Sequence, residues 1–368
     1  MRKIVIAAQA FKGTLSAFQA CQAIEEGILS VYSSAVIKKI PVADGGDGSM
    51  EVLVRANRGE IRHCLVSDAL GVKRPVLFGY FPQNASAVVA FSDVCGLASL
   101  EPEQQDPFQT SSFGVGEVIL SILKLSCKRC ILCLGGTATN DAGSGLAAAL
   151  GLRFLDEQGN SLPLGGGHLG KLALIDFSGM NPALASCELI AACDVVNPIV
   201  GPQGASLIYS PQKGASPQMA IELDKALQHF VSIILKQTGS DISFLRYGGS
   251  AGGAGAGIAA LLGGKLESGS ELILNSIGFD EALEGCDLVI TGEGRIDRQT
   301  TFGKAPMAVT KRAKKRGIPV IMFAGSLGVG HEEILSYGVE KVFSLPEGQV
   351  SPFEALKEIT ATVFRNET

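Results

Sequence analysis

At 368 residues, with 46% hydrophobic and 18% charged positions, the chain exceeds the usual reach of one hydrophobic core and predicts two folded domains without a long disordered arm. Its net charge of −5 excludes nucleic acid as the main partner, because a phosphate-backbone binder needs a basic surface. The longest apolar stretches, such as Ile131 to Leu134 and Ile258 to Leu262, fall far short of the roughly 20 residues that span a bilayer.

Lys3 to Ala8 (KIVIAA) predicts a buried strand and leaves no room before it for a secretion signal, so no membrane partner and a cytoplasmic location are expected. Gln9 to Thr14 reads as a loop and Ser16 to Leu29 as a helix, with Ser16 placed to cap it. A second strand, Val36 to Val42, runs into Asp44-Gly45-Gly46-Asp47-Gly48. Closely spaced strands are expected at Arg74 to Tyr80 and Ala87 to Phe91, and a further α/β alternation starts at Gly114. Near the other end come a strand at Leu288 to Thr291, a helix at Gly303 to Arg316, a strand at Val320 to Ala324 and a final helix near Phe353 to Phe364.

Strands alternating with amphipathic helices give an α/β class with a parallel sheet. Both chain ends carry similar strand-loop-helix units. The expected organisation is therefore a discontinuous Rossmann-like domain, 1–70 with 283–368, and an inserted α/β domain, 71–282.

Nine cysteines, an odd number scattered through apolar runs, predict reduced thiols rather than a disulfide framework. Cys127, Cys130 and Cys133 form a CxxCxxC without a second cluster, which places them in or beside a buried strand rather than on a metal. The histidines, His63, His168, His229 and His331, show no metal-ligand spacing, and no GxSxG nucleophile elbow occurs.

Glycine, 46 residues in all, clusters where strands end, which is where open parallel sheets place ligands. In Phe11-Lys12-Gly13-Thr14, Lys12 can meet a phosphate or carboxylate, or be a solvated loop lysine. Asp44 and Asp47 sit among three glycines that let a ligand or metal approach, or that write a tight turn. Gly135-Gly136-Thr137-Ala138-Thr139-Asn140-Asp141 follows a strand at Cys130 to Leu134 and opens a helix at Ala142; it reads as an anion cradle or as helix capping by Asn140 or Asp141.

Asp194 in Cys193-Asp194-Val195-Val196-Asn197-Pro198 can serve as a general base or metal-facing carboxylate, with Asn197 binding an oxygen, unless the segment is only a turn before proline. The tract Gly252-Gly253-Ala254-Gly255-Ala256-Gly257 leads into a helix, offering amides to phosphate or permitting close packing. Thr291-Gly292-Glu293-Gly294-Arg295-Ile296-Asp297, read as a loop after a strand and followed by Lys304, carries carboxylates suited to Mg²⁺ or a proton and cations suited to phosphate. An ion-pair network pinning the loop is the alternative.

No GxxxxGK[ST] P-loop occurs. Gly143 to Ala148 and Gly255 to Ala260 fit a loose GxGxxA, which keeps a nucleotide-dependent oxidoreductase as the rival.

In order, FKGTLSA (Phe11 to Ala17), PVADGGDGS (Pro41 to Ser49), GGTATNDAGSG (Gly135 to Gly145), ACDVVNP (Ala192 to Pro198), GPQGA (Gly201 to Ala205), PQKGA (Pro211 to Ala215), AGGAGAG (Ala251 to Gly257) and TGEGRID (Thr291 to Asp297) resemble the bacterial type II glycerate kinase family almost end to end. The resemblance implies ATP-dependent phosphorylation of D-glycerate, at the 2-hydroxyl, by a flavodoxin-like or Rossmann-like domain and a second α/β domain with the active site in the cleft. The first motif departs from the family's usual APDSFKGS, with Gln9 and Ala10 where aspartate and serine are usual, and Asp47 stands where glutamate is usual. A non-catalytic glycerate- or nucleotide-binding homologue is the alternative that this departure motivates.

On this resemblance Asp194 or Asp44 orients or deprotonates the glycerate hydroxyl, while Glu293 and Asp297 serve Mg²⁺ directly or through water. Lys12 and Arg295 face phosphate or the glycerate carboxylate. Asn140, Asp141 and Asn197 contact the substrate. Gly135, Gly136, Thr137, Gly252, Gly253, Gly255 and Lys304 serve the nucleotide phosphates.

Overall fold

The opening run KIVIAA forms a strand, β1 (Lys3–Ala8), whose Val5, Ile6, Ala7 and Ala8 are wholly buried in the computed structural model, which describes residues 3–302, 304–346 and 351–366. Burying each large apolar side chain contributes about 1.5–3 kcal/mol, and a strand covered on both faces needs that continuous apolar run. The chain continues through β2 (Val36–Lys39), then β3 (Glu60–Ser67), β4 (Lys73–Phe81), β5 (Ser86–Ala90), β6 (Arg129–Cys133), β7 (Arg153–Leu155) and β8 (Leu174–Asp176). It ends with β9 (Glu188–Cys193), β10 (Lys265–Ser268), β11 (Leu288–Ile296), β12 (Val320–Leu327) and β13 (Lys341–Ser344).

Two compact units result: Met1–Ala56 with Ser270–Thr368, and Asn57–Gly269. The first is a parallel sheet in the order β13-β12-β11-β1-β2, so that both chain ends build one sheet of the α/β class expected. Chain order runs outward from β1 to β2 on one side and from β11 to β13 on the other, the flavodoxin-like arrangement, with its reversal between β1 and β11. The helix Ala17–Leu29 starts at Ser16 as expected: Ser16 Oγ accepts from the Gln19 amide at 3.2 Å, and Gln19 Oε1 accepts from the Ser16 amide at 2.9 Å. Its Gly27 lets it cross closely over the helix Pro352–Arg365, since a Cβ there would lie 2.5 Å from the Lys357 carbonyl oxygen.

The second unit is a mixed sheet, β10-β9-β6-β5-β4-β3, parallel from β5 through β6 and β9 to β10 and antiparallel through β4 and β3. Its longest helix, Pro217–Thr238, is capped by Ser216 and stopped by Gly239 at φ 75°.

Several elements differ from the sequence expectation. The division falls at 56/57 and 269/270 rather than near 70 and 283, because β3 pairs along its length with β4 while Leu274, Phe279, Ala282 and Leu283 pack with Val5 and Ala7 of β1. β2 ends at Lys39, short of Val42. The segment Thr291 to Ile296, expected as a loop, is strand: β11 keeps its register with β12 as far as Ile296 opposite Leu327. The helix expected from Gly303 runs from Ala305 to Lys315, and Gly303 itself lies outside the described residues.

Candidate active site

In the first unit the chain leaving β1 lies against β11 at the strand reversal. The Gln9 amide donates to the Gly292 carbonyl at 2.9 Å, and a Cβ on Gly294 would come 2.8 Å from the Lys12 nitrogen. Glycine at 294 is what lets the Phe11–Lys12 backbone reach the strand. Between these two glycines stands Glu293, only 5% exposed.

Its Oε1 accepts from Thr300 Oγ1 at 2.6 Å, and its Oε2 lies 3.4 Å from Lys304 Nζ. Burial drives the Glu293 carboxyl above its ordinary value; Lys304 and Thr300 pull it back, and the Asp44 charge adds to the rise. Burial pulls the Lys304 ammonium down, but the fields of Glu293, Asp44 and Asp297 outweigh it and hold the ammonium above its ordinary value. Glu293, Lys304, Asp44 and Asp297 therefore form one electrostatic cluster at the C-terminal end of the sheet.

Asp44 is buried and accepts from the Gly46 amide at 3.1 Å, while the Gly45 amide donates to Ser49 Oγ at 3.1 Å. Gly45 at φ 97° and Gly48 at φ 80° make this a tight turn into the helix Ser49–Ala56, with the Asp44 carboxyl turned inward. Lys12 is exposed and pairs with Asp47 at 3.3 Å, and Arg295 pairs with Asp297 at 3.4 Å. Exposed pairs of this kind contribute about 0–1 kcal/mol and leave their cations available to an anion.

In the second unit the loops after β6 and β9 hold the remaining candidates. Asp141 is fully buried: its carboxylate accepts from the Ser112 amide and hydroxyl, both at 2.8 Å, from the Gly143 amide at 3.1 Å and from the Gly145 amide at 3.3 Å. It joins the starts of the helices Phe113–Leu123 and Ser144–Ala149. The second of these begins at Ser144 and not at Ala142, because Ala142 and Gly143 take φ of 52° and 69°.

Asn140 Nδ2 donates to Ser206 Oγ at 2.9 Å. Asn197 donates to the Gln203 carbonyl and accepts from the Tyr209 hydroxyl, each at 2.8 Å. Asp194 is half-buried directly after β9; burial, and then its charge, push the Tyr209 hydroxyl up to about 12. The Gly136 carbonyl accepts from the Leu97 amide at 2.9 Å, which fixes the Gly135-Gly136-Thr137 turn against residues 96–97.

The glycine tract is a packing device. A Cβ on Gly252 would lie 2.1 Å from the Thr139 carbonyl oxygen, and one on Gly255 would lie 2.4 Å from that of Tyr247. The amides of Gly253 and Gly255 donate to the Gly249 and Ser250 carbonyls, so these two are used within the fold. The two GxGxxA segments have the same cause: Cβ atoms on Gly145 and Gly257 would meet Ser111 Oγ at 2.1 Å and the Ala142 oxygen at 1.8 Å.

A sequence model described as the glycerate kinase family matches residues 4–367. The chain belongs to the glycerate kinase family. It is 42% identical to a protein of Halalkalibacterium halodurans named glycerate kinase, over 97% of this chain and 94% of that one. It is also 42% identical to one of Escherichia coli K12 named glycerate 2-kinase, over 93% and 90%. A crystal structure described as that of a 'putative glycerate kinase 2' from Salmonella typhimurium LT2 superposes with a TM-score of 0.84 at 38% identity, covering 100% of this chain and 98% of that one.

As a glycerate kinase the protein is a phosphotransferase, which sets aside the oxidoreductase reading. Sequence reasoning missed Thr300, which holds Glu293, and Lys213, whose Nζ donates to the Thr139 carbonyl at 2.7 Å and lies 3.4 Å from Thr137 Oγ1. The signal for Lys213 was present in the PQKGA segment, but a lysine beside a turn glycine reads as solvated. None of the nine cysteines is in a disulfide: Cys130 and Cys133 lie in β6, Cys127 is buried just before it, and burial pushes the Cys130 thiol far up. No helix among the described residues is long and apolar enough to cross a membrane.

Proposed function

We propose that this glycerate kinase transfers the γ-phosphoryl group of ATP to the 2-hydroxyl of D-glycerate, giving 2-phosphoglycerate and ADP. The observation that carries the reading is the cluster of Glu293, Lys304, Asp44 and Asp297 at the strand reversal, where a parallel sheet of this order receives phosphate-bearing ligands. The 2-position is supported by the 42% identity to the Escherichia coli protein named glycerate 2-kinase.

Mg²⁺ takes one or two carboxylates, substrate phosphates and several waters rather than a cage of side chains. Among the described residues no group of three or more His, Cys, Asp or Glu is placed to hold a metal ion, while Gln9 Oε1 is a buried oxygen with no hydrogen-bond partner at the end of β1. This donor set fits an ion that arrives on the triphosphate. Glu293 and Asp297 would hold it directly or through water, and when bound it neutralises charge on the phosphate oxygens.

The chain's own residues position and neutralise. Lys12, Arg295 and Lys304 face phosphate oxygens, and the Gly135-Gly136-Thr137 turn supports the nucleotide side. Asp194 orients the 2-hydroxyl and accepts its proton as the new O–P bond forms and the bond between the γ-phosphorus and the ADP oxygen breaks. Asp44, buried beside Glu293, raises the basicity of that carboxylate rather than taking the proton. Asn140, Asp141 and Asn197 keep the acceptor loops in place through the bonds described above.

The test is ADP release by the purified protein with Mg-ATP and D-glycerate, with enolase added to detect 2-phosphoglycerate. Turnover with product that enolase accepts supports the reading; ADP release without it moves the reaction to the other hydroxyl, and no ADP with folded protein overturns it.

A further inference from the structure

Lys213 is only 4% exposed, yet among the described residues no carboxylate stands within ion-pair distance of its ammonium. Burial pulls that ammonium down to about 8, with Cys95, Asp194 and Asp141 raising it in part, so it carries its charge at neutral pH. Burial pushes the Cys95 thiol up to about 12, so that group is neutral there. An unpaired buried cation is costly, and folded proteins retain one where a ligand supplies the counter-charge.

The position is built. Lys213 ends the short turn Pro211–Lys213; its amide donates to the Ser210 carbonyl at 2.9 Å, and that carbonyl also accepts from Ala215 at 3.1 Å. Gly214 closes the turn at φ 97°, where a Cβ would lie 2.0 Å from the Gln105 carbonyl oxygen.

Three fully buried side-chain oxygens on the same loop and turn have no hydrogen-bond partner of normal geometry: Thr139 Oγ1, which has only the Cys95 thiol beside it, Asn140 Oδ1 and Ser210 Oγ. Leaving such groups unpaired is destabilising, and together they describe a missing partner. Two hydroxyls and an ammonium can donate to an anion. Asn140 Oδ1, with its amide nitrogen engaged by Ser206, can only accept. A phosphate oxyanion would satisfy the donors and leave Asn140 Oδ1 empty. A hydroxycarboxylate satisfies all four.

We propose that Lys213, with Thr139, Asn140 and Ser210, seats the acceptor substrate: the ammonium and the two hydroxyls take its carboxylate, and Asn140 Oδ1 accepts from the hydroxyl that is not phosphorylated. The identity of that acceptor rests on the kinase reading, and the seat itself is read by binding without ATP or turnover.

Calorimetric titration of D-glycerate into the nucleotide-free protein and into Lys213→Met tests it, with ATP titrated in parallel. Loss of a charge-assisted contact predicts D-glycerate binding weaker by about ten- to one-hundred-fold, with ATP affinity held. Unchanged glycerate affinity in K213M overturns the assignment, as does loss of ATP affinity in place of glycerate affinity. If K213M does not fold, Thr139→Val is read in the same way: weaker glycerate binding supports the seat and unchanged binding overturns it. Failure of the kinase reading shows differently, as glycerate binding that depends on Lys213 with no ADP formed by the wild type.

Discussion

Thr300 Oγ1 donates a 2.6 Å hydrogen bond to Glu293 Oε1 and accepts one from the Asp297 amide at 3.2 Å. One buried hydroxyl thus links the two carboxylate residues proposed to serve the metal. Thr300→Val keeps the shape and removes the bond. A hydrogen bond to a charged group is worth about 1.5–3 kcal/mol, so urea unfolding should show a loss of that order, with a fall in kcat that Thr300→Ser restores. Full activity in the valine variant would detach Thr300 from the site.

Glu293 gives a pH dependence whose sign is opposite to that of an ordinary salt-bridged carboxylate. Its folded value is raised, so between the ordinary carboxylate range and that raised value the native state binds more protons than the unfolded chain. Stability contributed by the protonated form is therefore present at low pH and lost as pH rises through that window. Glu293→Gln removes the titration. The stability of wild type relative to E293Q, followed by denaturant unfolding from acid to neutral pH, should fall with rising pH and then level off; a rise would contradict the raised value.

Asp141 should behave as a structural keystone. Asp141→Ala leaves the Ser112, Gly143 and Gly145 amides without an acceptor in a fully buried place, at a cost of about 1–3 kcal/mol for a donor left unpaired, and Asp141→Asn keeps part of the network. Thermal melts of both variants check the order. A wild-type melting temperature for D141A would show that the loops close by other means.

Two glycines separate close packing from backbone conformation. Gly294→Ala forces a Cβ to within 2.8 Å of the Lys12 nitrogen, so it should cost about 1–3 kcal/mol and raise the KM for ATP by displacing the Lys12 loop. At Gly48 a Cβ meets nothing within 4 Å, but φ is 80°, so Gly48→Ala should cost about 1–2 kcal/mol with little effect on that KM. Equal KM effects would refute the distinction.

Elements governed by local chemistry were legible in the chain: the apolar run of β1, the Ser16 cap and the strand-loop-helix order that makes both ends one parallel sheet. β3 was not, because most of EIRHCLVS is exposed at a sheet edge and its pattern lacks the alternation of a half-buried strand. The glycines of 252–257 were legible as special but not as packing or cradle, since either use demands a missing Cβ.

The sequence by itself determined the α/β class, the family and the set of oxygen- and charge-bearing loops, because these depend on residue type and order. Tertiary structure alone decided which charges are buried together. Glu293 was visible as a carboxylate, but its pairing with Lys304 and Thr300 requires β11 to run on past Thr291. Lys213 reads as a surface lysine until Gly214 packs against Gln105 and turns a solvated cation into a buried one. Burial is a sum over distant segments, and it sets the cost of a charge and hence its use.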